Sequence, residues 1–184
     1  MFEKYKQNAD NHIRELLLVT HKERGNSLLI RMVIDIARSL NMKLEICNDQ
    51  ARAVEIANSG TVNTILVDFD EPDTPGYHLA KSIRARHIET PMLLFSNDMK
   101  KVQHFNIAGC FNLDTNVDKD SLKDKITKSV KFDIKLREMY LEIEEEASEY
   151  ERYPEELKQA KIRRMKVEKF GRKFEELLQE GAFA

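Results

Sequence analysis

The sequence predicts an α/β protein: a five-stranded, parallel, doubly wound sheet followed by a C-terminal α-helical hairpin or coiled-coil segment. Two observations carry this. Between residues 13 and 128, short continuous apolar runs alternate with apolar residues at helical spacing. From residue 129 onward the strand pattern stops, glycine almost disappears, and a glutamate-rich and then a lysine-rich helical stretch follow. Brief apolar runs are how strands read when helices cover both faces of a sheet. Their alternation with helices argues for parallel strands joined by crossovers.

The elements follow in order. Residues 1–12 are a polar N-terminal segment. "IRELLLV" (Ile13–Val19) is the first strand. Leu28, Leu29, Met32, Val33, Ile36 and Leu40 then mark a helix that Asn26 or Ser27 can cap. "KLEIC" is the second strand, and Asp49 caps a short helix through Val54 and Ala57. "TILV" is the third strand, followed by a helix with Leu79 and Ile83 on one face. "PMLLF" is the fourth, and a short helical stretch around Val102 and Phe105 leads to a fifth near "CFNL". Asp118 or Asp120 caps the helix of Leu122, Ile126 and Val130.

The extension spans residues 129–184, with an acidic helix to about 152 and a basic helix from 154. Leu136, Tyr140, Ile143, Ala147 and Tyr150 recur at steps of four, three, four and three, a short heptad seam. Glu138 to Glu151 contains seven glutamates and no base, whereas Lys158 to Lys173 contains eight bases and one acid. Pro154 suits the first turn of the second helix. A reversal there would bring Glu149 near Lys158, Glu145 near Arg163 and Glu142 near Lys166. The same seam could instead pair two chains, so a homodimer through the C-terminal helices is expected.

Composition narrows the function. Charged residues make up 34% and the net charge is −2, which gives no global attraction to nucleic acid or acidic membranes. No apolar run reaches the ~18 residues of a membrane-spanning helix. Cys47 and Cys110 fit no metal spacing, and with no signal-peptide pattern the expectation is a cytoplasmic protein with reduced thiols.

In open parallel sheets, sites form beyond the carboxyl ends of the strands. The residues expected to converge there are Thr20 and His21, Asp68, Ser96, and Asp114 with Thr115. "LVDFDEPDTPGYHLAKSIR" resembles the third strand, loop and third helix of response regulator receiver domains. In that family an apolar strand ends on a phosphoacceptor aspartate, with a proline four residues later and a glycine four after that. Asp68, Pro72 and Gly76 match without a gap. Ser96 falls where the family has a hydroxyl that contacts the phosphoryl group. The resemblance covers residues 13 to about 128 and implies a receiver fold with Asp68 as candidate phosphoacceptor.

Other positions depart from the family. Its first strand ends on an acidic pair that helps to hold Mg²⁺, and here Thr20 and His21 stand there. Its fifth strand ends on a lysine, and here Thr115 does. The aromatic switch position falls on Asn112. Magnesium favours hard oxygen ligands, with one or two carboxylates beside phosphate and water. Asp68 alone, with Asp70 and Glu23 as weak candidates beside it, makes a poor magnesium site.

The expectation is therefore a non-catalytic pseudo-receiver without a cofactor that acts through protein–protein contact or dimerisation. The alternatives are a Mg²⁺-dependent switch phosphorylated at Asp68, or a nucleic-acid-binding regulator using the basic helix 158–173.

Overall fold

The computed structural model describes residues 14–20, 27–68, 75–86, 90–96, 110–114, 116–148, 150 and 154–179. The N-terminal segment 1–12 and the helical stretch expected around Val102 and Phe105 lie outside the described residues.

Five strands form the sheet: β1 (Glu15–Val19), β2 (Lys43–Cys47), β3 (Val62–Asp68), β4 (Met92–Ser96) and β5 (Cys110–Asp114). Their spatial order is β2-β1-β3-β4-β5, and every pairing is parallel. Alternate residues supply opposite faces, as strand geometry requires. Leu16, Leu18, Leu66, Leu93 and Phe95 pack in one core. Leu17, Val19, Ile65, Val67, Met92 and Leu94 pack in the other. Such strands read as unbroken apolar runs, which is why the sequence reveals them.

The helices α1 (Leu28–Ser39), α2 (Gln50–Asn58) and α3 (Pro75–Ala85) follow the first three strands. The side chain of Ser27 caps α1 by accepting from the Ile30 amide, and Asp49 caps α2 by accepting from Arg52 at 2.7 Å. Asp118 accepts from the amides of Asp120 and Ser121, which makes it the cap of the next helix. Helix α1 shares its core with that last helix, whereas α2 and α3 cover the opposite face.

Helix α4 (Lys119–Ser148) runs for 30 residues without a break. Leu122, Ile126 and Val130 pack against the sheet. Phe132, Leu136, Met139, Tyr140, Ile143 and Ala147 belong to a separate cluster with Met165 of α5 (Glu155–Gln179). The end of the domain set at residue 128 thus falls inside a single helix.

The extension is an intramolecular antiparallel hairpin. Tyr140 stacks on Phe170 with centroids 5.4 Å apart, and Phe132 meets Phe174 edge-on at 6.1 Å. Lys166 bonds Glu144, Lys169 bonds Glu146, and Lys173 bonds Glu142. The acidic and basic helices pair as their charges suggest, but the register differs from the one expected. Glu142 reaches Lys173, and among the described residues Glu145 and Arg163 form no ion pair with each other. The aromatic seam accounts for the slide: Tyr140 stacks on Phe170 and Phe132 meets Phe174, so the helices settle where these rings pack.

Candidate functional site

The carboxyl ends of β1, β3 and β4 place Thr20, Asp68 and Ser96 side by side. Val19 is level with Val67, so Thr20 follows β1 next to Asp68, the last residue of β3. Asp68 is level with Phe95, and Ser96 follows it at the end of β4. All three are buried: Thr20 is 3% exposed, Asp68 4% and Ser96 0%. The Thr20 hydroxyl donates to Asp68 Oδ2 at 3.2 Å. The Thr20 amide donates to the Cys47 carbonyl at 3.0 Å, which ties the strand end to β2.

Three of the predicted site residues therefore converge where the topology demands. His21, Glu23, Asp70 and Thr115 lie outside the described residues. Asp114 closes β5 level with Ser96. The described donor set is one carboxylate and two hydroxyls, and one carboxylate oxygen already accepts from Thr20. Magnesium held there would need further hard oxygen ligands beside Asp68 to offset its dehydration. Among the described residues no group of three carboxylates, histidines or cysteines can hold a metal.

The Thr20 hydroxyl is a small group with a specific task. Replacing Thr20 with valine keeps the shape and removes the donor to Asp68. The expected loss is about 1–3 kcal/mol of unfolding free energy, measured by urea denaturation. A loss within error would mean that this hydrogen bond contributes nothing to the fold.

A second polar constellation, at the opposite end of β3, was not anticipated from the sequence. Opposite Glu15 and Leu16, β3 carries one extra residue, Asn63. Bulges of this kind re-aim side chains. Asn63 accepts from the Glu15 amide at 2.9 Å and donates to Asp133 Oδ2 at 2.9 Å. Arg137 donates to the same Asp133 oxygen at 2.6 Å, and its other nitrogens donate to the carbonyls of Gly60 and Val62. Gly60 has a φ of 81°, a conformation that favours glycine. Thr64 and Ser129 share a further buried hydrogen bond at 3.0 Å.

This network anchors α4 to the sheet just where the helix leaves the domain. Burial pushes the Asp133 carboxyl up to about 6, while the Arg137 guanidinium and the Asn63 amide pull it down. The sequence did hold a signal. Ser129 and Asp133 interrupt an apolar stripe that runs through Leu122, Ile126, Leu136, Tyr140 and Ile143, and Arg137 lies one turn beyond Asp133.

The expected interaction seam is placed as well. Leu136, Tyr140, Ile143 and Ala147 are buried, and Tyr150 packs against them half-buried. Their partners are Ile162, Met165, Phe170 and Phe174 of the same chain.

No family model matches the chain, and no curated protein sequence matches it. Solved structures do. The signal receiver domain of an HD domain-containing protein from Pseudomonas fluorescens Pf-5 aligns with a TM-score of 0.56 at 19% identity, over 68% of this chain and 93% of that one. A CheY-like receiver domain from Methanospirillum hungatei JF-1 aligns with a TM-score of 0.54 at 17% identity, over 67% and 98%. The chemotaxis protein CheY4 of Vibrio cholerae aligns with a TM-score of 0.52 at 19% identity, over 64% and 98%. The chain has the fold of a response regulator receiver domain, with a helical extension at its C-terminus. No described helix is long and apolar enough to cross a membrane.

Proposed function

We propose that this chain is a non-catalytic receiver-fold module, a pseudo-receiver, that works through protein–protein contact in a response-regulator-type signalling or assembly system. One observation carries the reading. Thr20, a neutral hydroxyl, stands beside Asp68 at the end of β1 and donates to its carboxylate. An acidic group at that point would repel the Asp68 carboxylate and give a divalent cation reason to bind between them. The Thr20 hydroxyl instead gives Asp68 Oδ2 a neutral donor and adds no ligand charge beside it.

Phosphoryl transfer to a carboxylate depends on charge neutralisation by metal and cation. Without them the transfer slows by roughly 10²–10³ for each missing group. The module would then present a surface instead of changing state.

A second reading keeps one observation in its favour. Asp68 and Ser96 lie together at the ends of adjacent central strands, where a phosphoryl group on Asp68 would find the Ser96 hydroxyl. That arrangement supports a slow switch phosphorylated at Asp68.

The two readings separate in an NMR titration with Mg²⁺ and beryllofluoride, which mimics an aspartyl phosphate. The non-catalytic reading expects no saturable shift at the amides around Asp68 and Ser96. Saturable shifts there that vanish in Asp68→Asn would establish a working pocket and sink it.

A further inference from the structure

The outward side of α5 carries an apolar ridge, with arginines beside it and Glu168 and Glu175 on the same side. Leu157, Ala160, Arg164, Val167 and Gly171 recur at steps of three, four, three and four, which lines them up along one side of the helix. All five are exposed. Leu157 is 51% exposed and Val167 67%, and with Leu28 they are the exposed large apolar side chains among the described residues. A Cβ added at Gly171 would meet nothing within 4 Å, so the ridge opens to solvent there.

The basic charge of α5 is divided. Lys166, Lys169 and Lys173 turn toward α4 and bond its glutamates. Arg163 and Arg172 are exposed, and Arg164 holds Glu168 at 2.8 Å on the same outward side. Among the described residues Arg163 and Arg172 make no ion pair. Neutralising the hairpin seam therefore leaves a second positive set beside the ridge.

We infer that this face of α5 docks an acidic amphipathic helix of a different protein. The inference rests on reading the chain as a protein-interaction module and names the surface and the chemistry of its partner. Helix-on-helix recognition needs apolar anchors at steps of three and four, which Leu157, Ala160 and Val167 supply. Flanking charges of opposite sign set orientation and choice of partner. The partner's acidic residues meet Arg163 and Arg172.

A second copy of this chain fits less well. Setting α5 against another α5 opposes Arg163 and Arg164 to their own kind. Setting α5 against the outward face of another α4 offers Glu138 and Glu145, but α4 exposes no large apolar side chain to cover Leu157 and Val167. A nucleic acid would leave the apolar side chains unused.

The test selects helical peptides of about 20 residues from a displayed library on the full-length protein. The best binder is then titrated into isotope-labelled protein. The expected binders carry Leu, Ile or Met at helical spacing with flanking Asp or Glu, and they shift amides between Leu157 and Arg172. In the variant Arg163→Glu/Val167→Asp, affinity falls at least about tenfold, while the resonances of Tyr140 and Phe170 show the hairpin intact. The inference is overturned if no peptide is enriched, if binders are basic, or if the variant binds equally well. It is also overturned if these residues bind duplex DNA or single-stranded RNA, or if sedimentation gives a dimer that the variant breaks. A beryllofluoride response at Asp68 would overturn the non-catalytic reading alone. Failure of peptide binding with Asp68 silent would overturn the α5 inference alone.

Discussion

Replacing Arg137 with methionine is expected to lower the unfolding free energy by about 3–5 kcal/mol at neutral pH, because it strands a buried carboxylate. The Asp133 side chain is 2% exposed and that of Arg137 12%, so solvent cannot take over from the lost partner. The change also leaves the Gly60 and Val62 carbonyls short of donors. Arg137→Lys should rescue little, since one ammonium cannot serve a carboxylate and two carbonyls in fork geometry. Asp133→Leu combined with Arg137→Met should be milder than the single change, because no charge is left behind. Urea unfolding of the four proteins decides this. Equal losses in the single and double variants would mean that the pair does not act as a unit.

The same carboxyl gives a pH signature of definite sign. Its folded-state pKa of about 6 lies above the ordinary 3.8. Its contribution to stability is thus fully present below about 3.8 and lost as the pH rises through 6. The swing is on the order of 3 kcal/mol. Other carboxyls run the opposite way. Lys119 holds Asp35 low, and Ser121 holds Asp118 low. The comparison that isolates Asp133 is therefore wild type against Asp133→Asn. In Arg137→Met the Asp133 carboxyl rises further, so that variant's deficit should shrink as the pH falls toward 6 and level off below it.

What could be read in the sequence depends on what each pattern reports. The strands were legible because residues such as Leu16–Val19 and Met92–Phe95 feed two cores at once and leave no polar position. Thr20, Asp68 and Ser96 were legible because strand ends in a parallel sheet converge by topology. Asn63 was not. Nothing local marks an extra residue in β3, and its role exists only once β1 and α4 are in place. The hairpin was half legible. A heptad seam reports that an apolar face needs cover, and it says nothing about whose helix supplies it. The register of the ion pairs goes with the packing of Tyr140 on Phe170 and of Phe132 on Phe174, which no charge pattern encodes.

A chain ended at residue 153 is expected to self-associate through α4, whereas the full chain should not do so through that face. Removing α5 uncovers Leu136, Met139, Tyr140, Ile143 and Ala147, which α5 now helps to bury. Each such side chain is worth roughly 1.5–3 kcal/mol when fully buried, so the exposed seam has a strong drive to find new cover. The lost Lys–Glu contacts weigh less, at about 0.2–1 kcal/mol each. The distal turns of α4 are too short to hold their helix alone in water. They must fray or pair with a second copy, and the steps of four and three favour pairing. Sedimentation velocity over a concentration series should show the shortened chain shifting from monomer to dimer. Leu136→Glu/Ile143→Glu in the shortened chain should abolish the shift. A monomer at every concentration, with rapid hydrogen exchange beyond Leu136, would mean that the seam is made for α5 alone. In either case the heptad pattern has one set of side chains and two competing partners, and the tethered helix has the advantage of local concentration. That is why a seam that reads as a dimer contact in the sequence closes within one chain.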